Sequence, residues 1–201
     1  MNNVYDVYGI RVTYPERFRV FINQREPFTF KSGMVKFDDT QGPDNGRISL
    51  SVSWEEADVE DAGRFASDYL ANAAEHYEKK VKNRYRILDS GISDSDGTPT
   101  AFLHSILATR THVMKFAGKD FTLEIMQTAR YHKETGRVVI ATVMADSSVF
   151  KTCGSGLRRM LSDISVRGMD EKAQETDYLA ADAAEGEAPV LDGGAESVGA
   201  A

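Results

Sequence analysis

The sequence is almost free of cysteine. Cys153 is the only one among 201 residues, which excludes an internal disulfide and is typical of proteins in a reducing compartment. No apolar run approaches the roughly 20 residues that a membrane-spanning helix needs. The N-terminal sequence MNNVYDVYG also has neither the basic patch nor the apolar core of an export signal. We therefore expect a cytoplasmic protein with no membrane span.

The body of the chain has little net charge. Residues 169–201 hold nine acidic residues and one lysine, so this segment carries a formal charge of −8. Because the whole chain carries −7, residues 1–168 carry +1. A nearly neutral body argues against electrostatic capture of nucleic acid or of an anionic membrane. The acidic segment is rich in Ala and Gly and almost lacks aromatic residues, which predicts a disordered tail. We predict a folded domain at 1–168 and an acidic disordered tail at 169–201.

The clearest structural pattern runs from Arg47 to Val81. Apolar and polar residues alternate in residues 47–54, as in a strand with one buried face. Residues 62–81 carry apolar residues at helical spacing, so the predicted helix has one apolar stripe. Because the strand face and the helix stripe each need a cover, we expect this helix to pack on a sheet that contains the strand.

Other alternating segments supply the rest of that sheet. Further strands are predicted at residues 8–14, 18–22, 33–37, 84–91, 100–116, 121–131, 138–144 and 164–166. The strand at 138–144 is apolar on both faces, so we expect it at the centre. Asp58 is the predicted N-cap of the long helix, and Ser147 or Ser148 that of a second helix. The order predicts an α+β domain, a mostly antiparallel β-sheet flanked by helices.

Three segments together resemble a known superfamily. They are YGIRVTYPERF at Tyr8–Phe18, ISLSVSW running into the long helix, and ILDSGISDSDGTPTAFLHSI at Ile87–Ile106. Their order and spacing resemble the PsbP/Mog/DcrB-like superfamily, which includes photosystem PsbP proteins, Ran-binding Mog import factors, DcrB-like bacterial proteins and Eag-type secretion chaperones. The resemblance covers about Tyr5 to Val166.

That resemblance implies an α/β/α sandwich around an antiparallel sheet. It also implies a protein that binds other proteins rather than one that catalyses a reaction. The export signal of the PsbP branch and the lipid-attachment cysteine of the DcrB branch are absent from this sequence. The cytoplasmic adaptor and chaperone branches are therefore favoured, and no partner-contact residue of those branches has a matching motif here.

Several short motifs suggest chemistry but have a simpler structural interpretation. Residues 153–156, CGSG, lack the lysine of a phosphate-binding loop and the glycine spacing of a nucleophile elbow. We interpret them as allowing close packing of the second helix on the sheet. Asp94, Asp96 and Gly97 resemble part of a calcium loop, but Leu103 stands where the closing glutamate is needed. A hairpin turn explains these residues.

The remaining acidic and imidazole groups also give no metal pattern. Asp38, Asp39 and Asp44 form an acidic loop, for which a solvated turn is the better interpretation. The four histidines lack the short paired spacing of metal ligands; they are His76, His104, His112 and His132. We expect no catalytic residue, no cofactor and no metal.

One basic cluster stands out as a candidate partner-binding site. It comprises Lys79, Lys80, Lys82, Arg84 and Arg86. Lysines at a helix C-terminus complement the helix dipole, so solvated side chains are one interpretation. The other is that the cluster receives an acidic partner or the acidic tail of this chain.

The sequence therefore predicts a non-enzymatic protein-binding module. It would act as an adaptor, chaperone or accessory subunit of a larger assembly, with another protein as its partner and a homodimer left open. The alternative is a small-molecule-binding or hydrolytic domain with a cleft between sheet and helix. A polar pocket lined by His104 or His132 with an acid would favour that alternative.

Overall fold

A computed structural model describes residues 2–23, 25–39, 48–81, 84–94, 97–110 and 120–168. The acidic segment 169–201 lies outside the described residues, and its disorder stays a prediction. The predicted turn at Asn45-Gly46 also lies outside them.

The described residues form ten strands and two helices. The strands are β1 (Asn2–Val7), β2 (Ile10–Pro15), β3 (Phe18–Ile22), β4 (Ser32–Asp39), β5 (Ile48–Glu56), β6 (Tyr85–Ser93), β7 (Thr100–Arg110), β8 (Asp120–His132), β9 (Arg137–Asp146) and β10 (Ser165–Val166). The helices are α1 (Ala62–Val81) and α2 (Ser147–Ser162).

Seven strands form the main sheet, in the order β3-β4-β5-β9-β8-β7-β6. Every neighbouring pair is antiparallel, and β9 holds the central position that its two apolar faces predict. β4 and β5 pair as the expected hairpin. The α+β prediction, with a mostly antiparallel sheet flanked by helices, is confirmed.

A second sheet of three strands, β1-β2-β10, was not predicted. Sequence alternation indicated a single strand beginning at Tyr8, whereas the chain forms a β1–β2 hairpin that turns at Tyr8 and Gly9. Both turn residues have positive φ, 53° at Tyr8 and 74° at Gly9, which suits a two-residue connection between antiparallel strands. β1 escaped detection because most of its side chains are exposed, so it carries little apolar alternation.

The two helices cover opposite faces of the main sheet. α1 packs on β6, β7 and β8, where Ala66 meets Ala101 and Ala129 in a small buried cluster. α2 and the small sheet cover the other face, and Phe150, Leu157 and Leu161 of α2 belong to the main core. This arrangement is the α/β/α sandwich that the resemblance implied, with an additional small sheet on one side.

Both helix caps differ from the predicted ones. Asp61 caps α1, since its carboxylate accepts hydrogen bonds from the backbone N–H groups of Gly63 (2.8 Å) and Arg64 (3.0 Å); Asp58 was predicted. Asp146 caps α2 and accepts from the N–H of Ser148 at 2.8 Å, in place of Ser147 or Ser148. In each case the helix starts directly after an aspartate, because its carboxylate reaches the free N–H groups of the first turn.

Trp54 of β5 joins the main sheet to the segment before β4. Its side chain is buried (2% exposed), and its Nε1–H donates to the carbonyl of Thr29 at 2.8 Å. The ring packs 5.5 Å from Phe28 and 6.4 Å from Tyr8, measured between ring centroids. Gly33 lies opposite Trp54 in the ladder, and a Cβ on Gly33 would stand 2.4 Å from Trp54 Cζ2.

Arg137 of β9 lies in the same region, a corner where the turn of the small sheet and the segment before β4 meet the main sheet. It is fully buried, and its Nη1 donates to the carbonyls of Tyr8 (2.9 Å) and Phe30 (3.0 Å). The guanidinium lies 4.1 Å from the centroid of the Phe30 ring, and burial lowers the pKa of Arg137. One side chain of the central strand thus holds the turn of the small sheet and the segment before β4.

Replacing Gly33 with alanine should destabilise the fold. The new methyl group has no room beside the Trp54 ring, so we expect a loss of about 2 kcal/mol in the free energy of unfolding, as for other overpacked cores. Urea unfolding followed by the fluorescence of Trp54 measures this loss. Gly91→Ala is the matched control, because a Cβ at that strand glycine meets nothing within 4 Å; equal stability losses in both variants would contradict the prediction.

Candidate functional site

The structure describes only part of the predicted basic cluster. Lys79 lies on the exposed surface of α1 and pairs with the carboxylate of Glu75, one helical turn earlier. The side chain of Lys80 and the whole of Lys82 lie outside the described parts. The carbonyl of Arg84 accepts a hydrogen bond from the N–H of Ala108 at 2.7 Å.

Arg86 lies on β6, on the opposite side of the sheet from α1. It stands opposite Ile106 in the β6–β7 ladder, and the alternation of β7 gives Ile106 the same face as His104, whose ring stacks on Phe150 of α2. Lys79 and Arg86 therefore do not share one surface. Partner binding by the basic cluster stays a prediction.

A larger surface appears where the helices leave the main sheet uncovered. α1 packs mainly on β6, β7 and β8 and reaches the edge of β9, where Ile140 borders the Ala66 cluster. Among the described residues, most of the same face of β3, β4, β5 and β9 therefore lies beyond the helix. The burial of side chains alternates in the same way along β9 and most of β5. Residues that face the small sheet and α2 are buried, and the alternate residues, which face the other way, are half-buried. We call this surface, formed by the outward side chains of β3, β4, β5 and β9, the open face.

The open face combines apolar and hydroxyl side chains. Phe21 of β3 and Met34 of β4 are 47% and 37% exposed, and Val138 and Ile140 of β9 are half-buried. A row of serines on β5 lies between them, at positions 49, 51 and 53. At one end a cavity of about 390 Å³ is lined by residues from these strands and by Glu26 and Pro27.

Charges on the open face are few and partly compensated. Lys36 Nζ lies 2.8 Å from an oxygen of Asp38 on the same strand. Exposed Phe and Met side chains with little net charge around them are typical of the centre of protein interfaces, where aromatic residues and Met are enriched and charged residues are depleted. The sequence did not locate the residues of this surface, although the apolar residues on both faces of β9 were a signal for it.

A cleft between α2 and the main sheet forms a second candidate site. It encloses about 210 Å³, and its apolar floor includes Phe102, Val139 and Leu161. Two arginines line it: Arg130 donates to the carbonyl of Ile164, and the guanidinium of Arg158 lies 5.7 Å from the centroid of the Phe102 ring. Its hydroxyl-bearing lining residues are Ser93, Thr100, Thr128 and Ser162. None of the described lining residues is acidic, so the cleft is positively charged.

The Cys153 motif borders a third cavity, of about 260 Å³, between α2 and the small sheet. Cys153 is exposed, and a Cβ at Gly154 or Gly156 would meet nothing within 4 Å. The interpretation that these glycines allow a close helix–sheet approach is therefore wrong. Leu157 and Leu161 make the buried contact instead, because they lie on the inner stripe of the helix.

Two histidines occupy defined but different environments. His104 Nε2 lies 3.0 Å from Glu124 Oε2 on the neighbouring strand, a pair formed across β7 and β8 that sequence spacing did not reveal. Neither residue lines the three cavities described above. His132 is half-buried, and burial, reinforced by Arg130 and Arg137, lowers its pKa from 6.5 to about 4. It is therefore neutral at pH 7.

The other candidates have structural explanations where they are described. Asp39 is buried (4% exposed) and pairs with Arg17 at 3.0 Å, so it is part of the fold. Gly97 has φ 71° in the connection between β6 and β7, which pair as a hairpin. His112, Asp44 and Asp96 lie outside the described residues. Within the described ranges, no three His, Cys, Asp or Glu side chains are grouped as metal ligands.

Comparison with solved structures gives the class of the fold. The domain has a PsbP-like fold: it matches the solution structure of cyanobacterial PsbP (CyanoP) from Synechocystis sp. PCC 6803 with a TM-score of 0.56 and 11% sequence identity. The match covers 83% of this chain and 92% of the cyanobacterial protein.

A second solved structure has the same overall arrangement. The crystal structure of PA94 from Pseudomonas aeruginosa, described as a protein of unknown function and a putative regulator, matches with a TM-score of 0.52 and 15% identity over 84% of this chain and 99% of PA94. No protein-family model matches the sequence, and no curated protein matches it. No helix among the described residues is long and apolar enough to cross a membrane.

Proposed function

We propose that this protein is a non-enzymatic protein-binding module whose open face receives the partner. The role is that of an adaptor, chaperone or accessory subunit of a larger assembly. The observation that carries the proposal is the exposure of Phe21 and Met34 on the open face, beside half-buried β9 residues and beyond the strands that α1 mainly covers in the described structure. The PsbP-like fold supports an accessory role.

The open face suits a protein partner better than a small ligand. It extends over four strands, whereas a small-molecule site is usually a concave pocket that encloses most of its ligand. Its exposed Phe and Met side chains are residue types enriched in protein interfaces. The sequence resemblance to a superfamily that includes adaptor and chaperone branches, Mog and Eag-type proteins among them, is a second support.

Acidic substitutions on the open face should abolish partner binding without unfolding the domain. Phe21→Glu combined with Met34→Glu places two charges where the partner must exclude water, so we expect loss of the partner from affinity purification in the native host. Val4→Glu is the matched control, because Val4 is also exposed (49%) but lies on the small sheet. Circular dichroism and thermal unfolding check that both variants fold.

The proposal fails if the partner, identified by cross-linking and mass spectrometry in the wild type, is retained by the folded double variant. It also fails if the Val4→Glu variant loses the partner to the same extent. The first outcome would exclude the open face, and the second would show that any added charge disrupts binding.

The cleft under α2 supports a second candidate function, the binding of a small anion. Arg130 is oriented by its bond to the Ile164 carbonyl, and Arg158 stands beside hydroxyl groups over an apolar floor. Arginines and hydroxyls in a partly enclosed site are suited to a carboxylate or phosphate group. His104 and Glu124 do not line this cleft, so the geometry favours binding over hydrolysis.

Removing Arg158 should abolish stabilisation by anions if the cleft binds them. We expect inorganic phosphate or a small dicarboxylate to raise the melting temperature of the wild type relative to chloride at equal ionic strength, and Arg158→Ala to lose that increase. Arg159→Ala is the control, since the adjacent arginine lines the other side of α2. Equal stabilisation in all three proteins would contradict specific binding in the cleft.

A further inference from the structure

β6 is an edge strand with an unusually apolar exposed surface. Among the described residues its one partner in the main sheet is β7, and each of its residues after Tyr85 is exposed. Six large apolar side chains are exposed among the described residues, and half of them belong to this strand: Ile87, Leu88 and Ile92. The unpaired backbone groups of such an edge can accept another strand.

β6 lacks two of the usual protections of a sheet edge. Lysine and proline are common on edge strands because they oppose pairing, and the sequence of β6, YRILDSGIS, contains neither. The protective features it does have are a bulge between Ile87 and Asp89 and the two charged side chains Arg86 and Asp89. The opposite edge of the sheet, β3, is shorter, with five residues against nine.

The bulge brings the two charged residues of β6 to the same face. Arg86 stands opposite Ile106, and Asp89 stands opposite His104. Ile106 and His104 are two positions apart on β7, so their side chains share one face. Without the extra residue at Leu88, Arg86 and Asp89 would point to opposite faces.

This arrangement is complementary to a second copy of itself. When two antiparallel β6 strands pair around an axis between Ile87 and Leu88, Arg86 stands opposite the partner subunit's Asp89, and the same pair forms again across the axis. Both pairs lie on one face of the extended sheet, where opposite charges on facing residues are favourable. Ile87 then stands opposite the partner's Leu88, so exposed apolar groups cover each other.

A register centred on Asp89 is disfavoured. It would place Asp89 directly opposite the partner's Asp89, and facing like charges are destabilising in a strand pair. The charges therefore select one register among the possible antiparallel ones. A foreign strand would need its own matching charges, whereas a second copy supplies them by symmetry.

We propose that two copies of this chain associate through β6, with residues 84–91 of each forming an antiparallel ladder that continues the main sheet. The contact is separate from the open face, which both copies would present on the same side of the joined sheet. A single strand pair buries little surface, so the dimer is expected to be reversible and concentration-dependent.

Charge exchange tests this geometry directly on the full chain. Sedimentation velocity over a concentration series should show the wild type shifting from monomer to dimer. Arg86→Asp and Asp89→Arg should each be monomeric at concentrations where the wild type is dimeric, because facing like charges replace the complementary pairs. An equimolar mixture of these two variants should recover the dimer, since every facing pair between the two different chains is then of opposite sign.

The mixture distinguishes pairing between two chains from a contact within one chain. Mixing the two variants can restore the first kind of contact but not the second. Arg19→Asp, a charge reversal on the opposite edge strand β3, is the control and should leave the dimer unchanged. Three outcomes would overturn the proposal: a wild type that is monomeric at every concentration, a single variant that still dimerises like the wild type, or a mixture that remains monomeric. Because β6 hydrogen exchange should slow with concentration in the wild type, an unchanged exchange rate would also overturn it, whatever the variants do.

Discussion

Trp54 and Arg137 meet at the corner on which the three parts of the fold depend. The Trp54 ring occupies the space above Gly33 and holds the Thr29 carbonyl. Arg137, fully buried, donates to the carbonyls of Tyr8 and Phe30. Backbone carbonyls that are withdrawn from solvent need a donor, and these side chains supply one to a buried carbonyl, at Tyr8, and to two half-buried ones, at Thr29 and Phe30. These two side chains therefore fix the small sheet and the segment before β4 against the centre of the main sheet.

The corner also determines which surface remains available. With the small sheet held over β4, β5 and β9, that face of the main sheet is covered by the small sheet together with α2. On the other face, the covering element within the described ranges is α1, which packs mainly on β6, β7 and β8. In the part of the chain that the structure describes, the two faces of the main sheet are thus covered unequally, and the side of β3, β4, β5 and β9 that faces away from the small sheet is the less covered one. The open face is a consequence of how the covering elements are distributed between the two faces.

Much of the main sheet could be predicted from local patterns. Alternation located β3, β5 and β9, and the two apolar faces of β9 placed it correctly at the centre. β1 could not be found this way because its side chains are mostly exposed. The helix caps were also placed wrongly, because each helix begins directly after a different residue from the one predicted. Arg137 directly follows a turn sequence, and a charged residue at such a position is expected to be exposed to solvent. Its burial depends on contacts with residues more than one hundred positions away.

The candidate surfaces were harder to predict than the fold. The basic cluster is contiguous in sequence, yet Lys79 and Arg86 lie on opposite sides of the edge strand. The open face depends on the order of the strands in the sheet, since that order decides which strands α1 can cover. The His104–Glu124 pair and the arginines of the cleft come from separate elements. Such juxtapositions arise from strand pairing, for which local sequence carries little signal.

Hydroxyl-radical footprinting of the protein with and without its purified partner tests the central claim most directly, because it reports the solvent exposure of single side chains. The account predicts that the partner lowers the oxidation of Met34 and Phe21 on the open face. Met160 on α2 should be unchanged, since it lies on the other side of the sheet. Protection of Met160 with unchanged oxidation of Met34 and Phe21 would contradict the account.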